Sequence, residues 1–328
     1  MVKGVSVVIP NYNGVLLFPE TLHTVEEALQ SSGKPYEMII VDDCSTDGSV
    51  EYIRSNYPQI RVIQNEKNSG FSVTANRGIL AATYDKVLLL NSDVKLTPGY
   101  FINQFKYFDD PGTFGVFGRI IGWEDDIIQD GAKWPHFHGA KIKTSKNYLL
   151  NNETLMQDGL YSMYLSGANA FLDKEKFALI HGLNEIFSPF YVEDYELSLR
   201  AWRLGFKCYY DYNSVCKHQV STSIKSKSRK RYVDMIYDRN KMYLHAIHLE
   251  GSVKVMWYLQ LIPELLFHFV LLRWYYLKSF WRFITSFGKV RHSKKEFEAL
   301  TKITGTRKSV KEVAQTIWSS VDSDKRIL

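Results

Sequence analysis

The residues of this chain suited to chemistry are acids set at the ends of apolar runs. Asp93 closes the stretch Val87-Leu88-Leu89-Leu90-Asn91-Ser92-Asp93. An apolar run without alternation reads as a central, parallel strand. In open parallel sheets the carboxyl ends of the strands face the ligand crevice, which makes Asp93 a site candidate. The competing reading is a turn, because Asn, Ser and Asp favour turns and Thr97-Pro98-Gly99 follows. Asp42 and Asp43 end another such run, in IIVDDCSTDGS. Helix capping accounts for Ser45 or Asp47 there but leaves two adjacent carboxylates over. An acid at a strand end suits a divalent cation, since hard cations take carboxylate oxygens and bridge them to phosphates.

Further groups stand at corresponding points. Pro10 stops the first run in IPNYNG, and Tyr12 stands exposed between two asparagines, where an aromatic ring can stack on a flat ligand. In NEKNSGFSVTANRG, Asn68, Gly70, Asn76 and Arg77 surround a helix start that could hold an anion. In SPFYVEDYELSLRAWRLGF, Leu197, Ala201 and Leu204 repeat at helical spacing and Gly205 provides a stop. Glu193, Asp194 and Glu196 then sit at the positive end of a helix, with Arg200 and Arg203 toward its negative end. That distribution is also what the helix dipole alone favours.

These groups need strands and helices in alternation. Val5–Pro10, Glu37–Asp43, Ile60–Asn65 and Lys86–Asn91 read as strands, and Thr21–Ser31, Gly48–Tyr57 and Ser72–Thr83 as helices. The βαβα order predicts a parallel α/β sheet. From Phe114 to about Asp173 shorter runs rich in glycine and aromatics predict a mixed or antiparallel continuation. A soft boundary falls near residue 220, beyond which the chain is basic and helical in period.

The chain has 328 residues, 41 basic against 35 acidic, for a net charge of +6. This mild excess suits anionic ligands or an anionic membrane surface and is too weak to argue nucleic-acid binding. Cys44, Cys208 and Cys216 are odd in number and lack metal-ligand spacing, which fits a reducing compartment; Cys44 reads as buried filler beside the site. The opening MVKGVSVVIPNYNG enters a strand with no leader pattern, so a cytoplasmic location is expected. Neither G-x-G-x-x-G after the first strand nor G-x-x-x-x-G-K-[ST] is present, so a nucleotide site must manage phosphate charge in another way.

Taken in order, VSVVIPNYNG, IIVDDCSTDGS, NSGFSVTANRGI, LLLNSDV and FYVEDYELSLRAWRLGF resemble the family 2 glycosyltransferases with a GT-A fold, notably the bacterial rhamnosyltransferase-like branch, over roughly residues 3–245. The resemblance implies a GT-A type nucleotide-diphospho-sugar transferase fold, α/β, with a mixed, mostly parallel central sheet flanked by helices and a helical C-terminal extension. It implies a catalytic domain over 1–220, with a nucleotide-sugar-binding half (1–112) and an acceptor-binding half (113–220), and an extension over 221–328. The implied activity is inverting transfer from a UDP- or dTDP-linked sugar to a glycan or lipid-linked acceptor, assisted by Mg2+ or Mn2+.

By the family pattern, Asp42 binds the nucleobase and Tyr12 lines its pocket, with Pro10 and Asp43 beside them. Gly70, Asn76, Arg77 and Ser92 lie on the donor side. Asp93 is the metal-binding acid, and His218 ligates metal or diphosphate through a ring nitrogen. The usual D-x-D has become Asn91-Ser92-Asp93, so its first acid is absent. Asp194 is the implied general base, with Glu193 second. Gly167 and Asn169 belong to the acceptor side, and Glu196 either contacts the acceptor or braces the helix. A competing class is a non-catalytic nucleotide-sugar-binding protein or scaffold that lost its metal acid at Asn91.

Beyond residue 245, Trp, Tyr, Phe and Leu alternate with Lys254, Arg273, Lys278, Arg282 and Lys289. Pro263, Glu264, His268 and Arg273 interrupt this stretch, so no clean span of the ~20 apolar residues that a membrane crossing needs is expected. The mixture fits either interfacial helices, hence peripheral membrane association, or a hairpin packed on its own domain or on another copy.

Overall fold

A computed structural model describes residues 3–151, 156–219, 227–321 and 325–328. The strand-like runs of the first third become β1 (Val5–Asn11), β2 (Tyr36–Asp42), β3 (Arg61–Gln64) and β4 (Lys86–Leu90), separated by α1 (Phe18–Ser31), α2 (Ser49–Asn56) and α3 (Phe71–Ala81). β2 pairs in parallel with β1 and β3, and β1 with β4. Every residue of β4 is buried, as its unbroken apolar run requires. Gly78 lets α3 lie directly on the sheet, because a Cβ there would stand 2.4 Å from Val8 and 2.7 Å from Val41.

The chain then adds β5 (Val94–Leu96), β6 (Thr113–Gly122), β7 (Ile128–Asp130), β8 (Lys133–His138), β9 (Lys141–Leu150), β10 (Leu160–Tyr161) and β11 (Asn169–Asp173). Short α4 (Lys174–Leu179), α5 (Glu193–Arg203) and β12 (Lys207–His218) follow. The main sheet runs β10-β12-β6-β11-β4-β1-β2-β3, with β5 on β12 and β7 on β6. β11 is antiparallel to both β4 and β6, whereas β6 and β12 are parallel, so the second half is mixed. The sheet changes direction of growth at β1/β4, and a crevice opens beyond the carboxyl ends of these two strands.

Among the described residues five helices follow: α6 (Lys227–His248), α7 (Gly251–Val270), α8 (Trp274–Thr285), α9 (Phe287–Thr304) and α10 (Val310–Ser319). A last strand, β13 (Lys325–Ile327), pairs with β9, which pairs with β8 in a separate small sheet. Tyr243, Trp257, Phe283, Phe297 and Ile317 from these helices join the core that holds Val8, Leu89 and Trp202. The helices after residue 227 are thus packed into the same interior as the sheet. One expectation needs correcting: α7 is long and apolar enough to cross a membrane by length and composition. The polar groups that interrupt it are used inward. Glu264 pairs with Lys141, Gln260 Oε1 accepts from the Ala140 amide at 3.0 Å, and most of the remaining surface is uncovered.

Candidate active site

The carboxyl ends of β1 and β2 bring Asn11, Asp42 and Asp43 together. Asp42 is buried; Asn11 Nδ2 donates to its Oδ1 at 2.9 Å and the Ser45 amide to its Oδ2 at 2.9 Å. Asp43 accepts from Asn65 Nδ2 (2.8 Å) and the amides of Ser69 (2.8 Å) and Gly70 (2.9 Å), which ties the loop before α3 to the sheet. Tyr12 stands 56% exposed at the lip of this cluster, and Pro10 is half-buried beneath it. Ser92 closes the crevice floor, its Oγ 3.4 Å from where a Cβ on Gly14 would sit. Cys44 departs from the expected filler role: it is exposed and adopts φ +63°, a turn position rather than a packed one.

Asn76 and Arg77, expected near a diphosphate, make contacts that hold the local structure. Asn76 Nδ2 donates to the Leu183 carbonyl and its Oδ1 accepts the Leu183 amide, both at 2.8 Å. Arg77 Nη1 donates to the Gln64 carbonyl and to Asn65 Oδ1, both at 2.7 Å. Gly70 is required on two counts: φ is +87°, and a Cβ would lie 2.9 Å from Pro189 Cα. The Phe71 amide donates to the Pro189 carbonyl at 2.9 Å, so the start of α3 is docked on the segment leading into α5.

Across the sheet, β12 delivers His218 to Asp93, with Nε2 3.4 Å from Oδ2. His218 Nδ1 lies 3.0 Å from Gln129 Oε1, so each ring nitrogen faces an acceptor oxygen, an arrangement that favours the protonated ring. Asp93 Oδ1 is buried without any hydrogen-bond partner. Burial opposes the charged form of His218, but the bond to Asp93 and its charge outweigh it and raise the pKa. An orphaned carboxylate oxygen beside an imidazole nitrogen is a donor set that fits a divalent cation. Among the described residues no group of three or more His, Cys, Asp and Glu has metal-site geometry.

The acids of α5 form the other wall. Asp194 Oδ2 accepts the Gly167 amide at 3.1 Å and Oδ1 the Tyr195 amide at 2.7 Å. Glu193 Oε2 is buried and unpartnered. Burial raises both pKa values above the ordinary carboxylate range; the neighbouring Asp194 charge adds to the rise at Glu193. Glu196 is different. It lies 3.1 Å from His248 Nε2 and 2.8 Å from Arg200 Nη2; burial works against its charge, yet these partners hold its pKa down to about 2. Through these contacts it braces the helix. Asn169 is likewise turned inward, its Nδ2 donating to the Gly118 carbonyl at 3.1 Å, while Gly167 lies against Asp194.

Three contributors escaped the sequence reading. Gln129 orients His218, and Asp130 beside it raises the pKa values of both His218 and Asp194, so β7 links the two walls electrostatically. Asn240 of α6 is wholly buried and donates to the carbonyls of Phe187 (2.6 Å), Phe190 (3.0 Å) and Tyr191 (2.8 Å). It holds the segment in which Tyr191 and Val192 both take positive φ, +73° and +74°, immediately before Glu193. Such a pair of non-glycine residues persists only where surrounding contacts over-determine it.

Solved structures share this GT-A architecture. GalNAc-T7, solved with UDP, GalNAc and Mn2+, superposes with a TM-score of 0.67 at 14% identity, covering 97% of this chain and 57% of that one. TarS of S. aureus, in complex with UDP-GlcNAc, gives 0.50 at 17% identity over 76% of this chain and 69% of that one. The chain belongs to glycosyl transferase family 2, whose model matches residues 6–177. A relative of Bacillus subtilis named as a teichuronic acid biosynthesis glycosyltransferase, TuaG, is 26% identical over 229 residues, 64% of this chain and 88% of its own length.

Proposed function

We propose that this glycosyltransferase is inverting and moves a hexosyl or deoxyhexosyl unit from a UDP- or dTDP-linked donor to a hydroxyl of a glycan or lipid-linked acceptor in surface polysaccharide synthesis. The observation that carries the proposal is the pairing of two unlike acid sites, Asp93 with His218 and Glu193 with Asp194, linked by Gln129 and Asp130. The teichuronic acid biosynthesis for which TuaG is named and the UDP-GlcNAc bound to TarS support the polymer and donor classes. In this reading residues 1–112 hold the donor, 113–220 the acceptor, and 221–328 brace the site and meet the membrane.

Asp42 and Tyr12 take the nucleoside, and Asp93 and His218 would hold the cation, Mg2+ or Mn2+, whose charge offsets that developing on the departing diphosphate. The acceptor hydroxyl oxygen bonds to the anomeric carbon on the face opposite the diphosphate. The bond from that carbon to the diphosphate oxygen breaks, its electron pair leaving with the nucleoside diphosphate, and the hydroxyl proton passes to Asp194. A raised carboxylate pKa makes Asp194 a stronger proton acceptor than an exposed aspartate.

On the C-terminal side, Leu266, Phe269, Trp274 and Trp281 are exposed along α7 and α8, with Arg231, Arg273, Lys278 and Arg282 around a surface hollow. Apolar side chains ringed by cations complement an anionic bilayer surface, which supports a peripheral position on the inner face of the membrane in this reading. Thermal shift and transfer assays with UDP-, dTDP- and GDP-sugars, with and without Mn2+, test the activity. A metal-enhanced shift with turnover is expected; donor binding without any transfer or hydrolysis would leave a sensor or scaffold.

A further inference from the structure

Asp194 opens into a cavity of about 300 Å³ between α5, α6 and β9, at the lower end of the ~300–1,000 Å³ usual for ligand pockets. Its walls include Tyr164, Tyr191, Tyr195 and Tyr237, an apolar and hydrogen-bonding lining of the kind that receives a sugar ring. The Tyr195 hydroxyl is buried and has no hydrogen-bond partner. At the far side stand Lys143 and Lys241, which also line a second cavity of about 350 Å³.

Close ion pairing there is uneven. Lys133, the third lysine of the first cavity, is committed to Asp130 and donates to Asn147 Oδ1 at 2.7 Å. Lys141, in the second, is committed to Glu264. Among the described residues neither Lys143 nor Lys241 has a carboxylate within 4.0 Å. The acids facing them are Asp194 itself, Asp238 and Glu264, of which Asp238 is the neighbour of Lys241. The ring of Tyr237 lies 4.0 Å from the Lys241 ammonium, and His245 is kept neutral by burial. Lys143 and Lys241, shared by the two cavities, offer cations to an anion in the same cavity that Asp194 lines.

We infer that the acceptor carries an anionic group, a phosphate or a carboxylate, held between Lys143 and Lys241 while its sugar lies against Asp194. This rests on the proposed role of Asp194. It extends that role by giving the acceptor a charge, and it separates acceptor recognition from the donor acids on the other wall. Two sources share this chemistry: the diphosphate of a lipid-linked sugar and the carboxylate of a uronic acid.

Titration calorimetry on the full chain, saturated with UDP and Mn2+ so that the donor site is filled, tests the inference with pyrophosphate, glucuronate and glucose as probes. Pyrophosphate or glucuronate is expected to bind while glucose does not, and K143Q/K241Q to weaken that binding at least tenfold, with K143R/K241R restoring it. Pyrophosphate alone binding identifies a diphosphate-linked acceptor; glucuronate alone identifies an acid sugar. Binding of neither anion, or equal binding by the glutamine variant, overturns the site. The UDP titration that precedes each run reports separately on the donor reading, so a chain that binds the anions but not UDP sinks the proposed function and leaves the anion site standing.

Discussion

Asn240 Nδ2 donates to the Tyr191 carbonyl at 2.8 Å, two residues before the first acid of α5. The same nitrogen reaches the Phe187 and Phe190 carbonyls, so two hydrogens serve three acceptors. Arg239 adds a bond to the Ser188 carbonyl at 2.6 Å and two to Asn240 Oδ1, at 3.0 and 2.7 Å. A helix of the C-terminal extension thus sets the direction in which Glu193 and Asp194 leave the turn.

Replacing this amide tests that dependence. Asn240→Ala leaves buried carbonyls unpaired, at a cost of about 1–3 kcal/mol of stability. Because Asn240 touches no substrate, donor affinity is expected to hold while kcat falls. A melting point lowered with kcat unchanged at a temperature where the variant is folded would reduce Asn240 to a structural strut.

A second prediction concerns Glu196. Its folded pKa, about 2, lies below its unfolded value, so its contribution is fully present above the unfolded pKa and is lost as pH falls through the folded one. Acid unfolding should therefore steepen between about pH 4.5 and 2, near the ordinary carboxylate range and below it. Glu196→Gln strands Arg200 beside His248, and removing one partner of a buried pair costs about 3–5 kcal/mol. Urea melts at several pH values should show lower stability at pH 7 and a flatter acid limb; an unchanged acid limb would contradict the pairing.

The donor acids should separate by readout. Asp42→Ala is expected to weaken uridine and UDP binding alike, because in the proposed reading it takes the nucleoside. Asp93→Asn should leave uridine binding intact and remove the gain that Mn2+ gives to UDP binding. Calorimetry of both ligands, with and without Mn2+, checks this; equal loss of uridine binding in the two variants contradicts the division.

For the exposed face of α7 and α8, sedimentation with phosphatidylglycerol vesicles should exceed that with phosphatidylcholine vesicles at low salt. R273Q/K278Q/R282Q should lose the difference, since each basic residue near an anionic surface is worth about 1 kcal/mol. Failure to sediment with either lipid would leave this face for a second copy of the chain.

Much of this arrangement was legible in the sequence because it is local. The five-residue run of β4 has to be buried on both faces, which made Asp93 a candidate beside a competing turn, and the family resemblance then gave it a role. The order of acids and bases along α5 also followed from its own repeat. Asn240 did not, because its partners lie 49 to 53 residues earlier in the chain and nothing in a basic, helical stretch marks one amide as buried. Gln129 and Asp130 belong to a three-residue strand, too short to show a period. Glu196 was ambiguous for another reason: its neighbour Arg200 is visible at i+4, but His248 arrives from a separate helix.

The final prediction bears on the base itself. Asp194→Asn keeps size and most packing while removing proton acceptance, so turnover should fall by roughly 10²–10⁴ with donor affinity nearly unchanged. Glu193→Gln should cost less, because Glu193 Oε2 is sealed in protein whereas Asp194 lines the cavity. The pH profile adds a second criterion. Burial raises the folded pKa of Asp194, so the acid limb of kcat/KM should lie above the ordinary carboxylate range. The sign for stability is opposite to that of Glu196: a raised carboxylate pKa gives a contribution present below the unfolded value and lost as pH rises through the folded one. Ionised Asp194 therefore strains the fold near neutrality, and the asparagine variant should lose less stability at pH 7 than at pH 4. If Asp194 only capped α5, the variant would lose about 1 kcal/mol at both pH values and keep its turnover. Melting temperature and turnover measured on one preparation separate the two, and a destabilised but fully active Asp194→Asn removes Asp194 from the reaction.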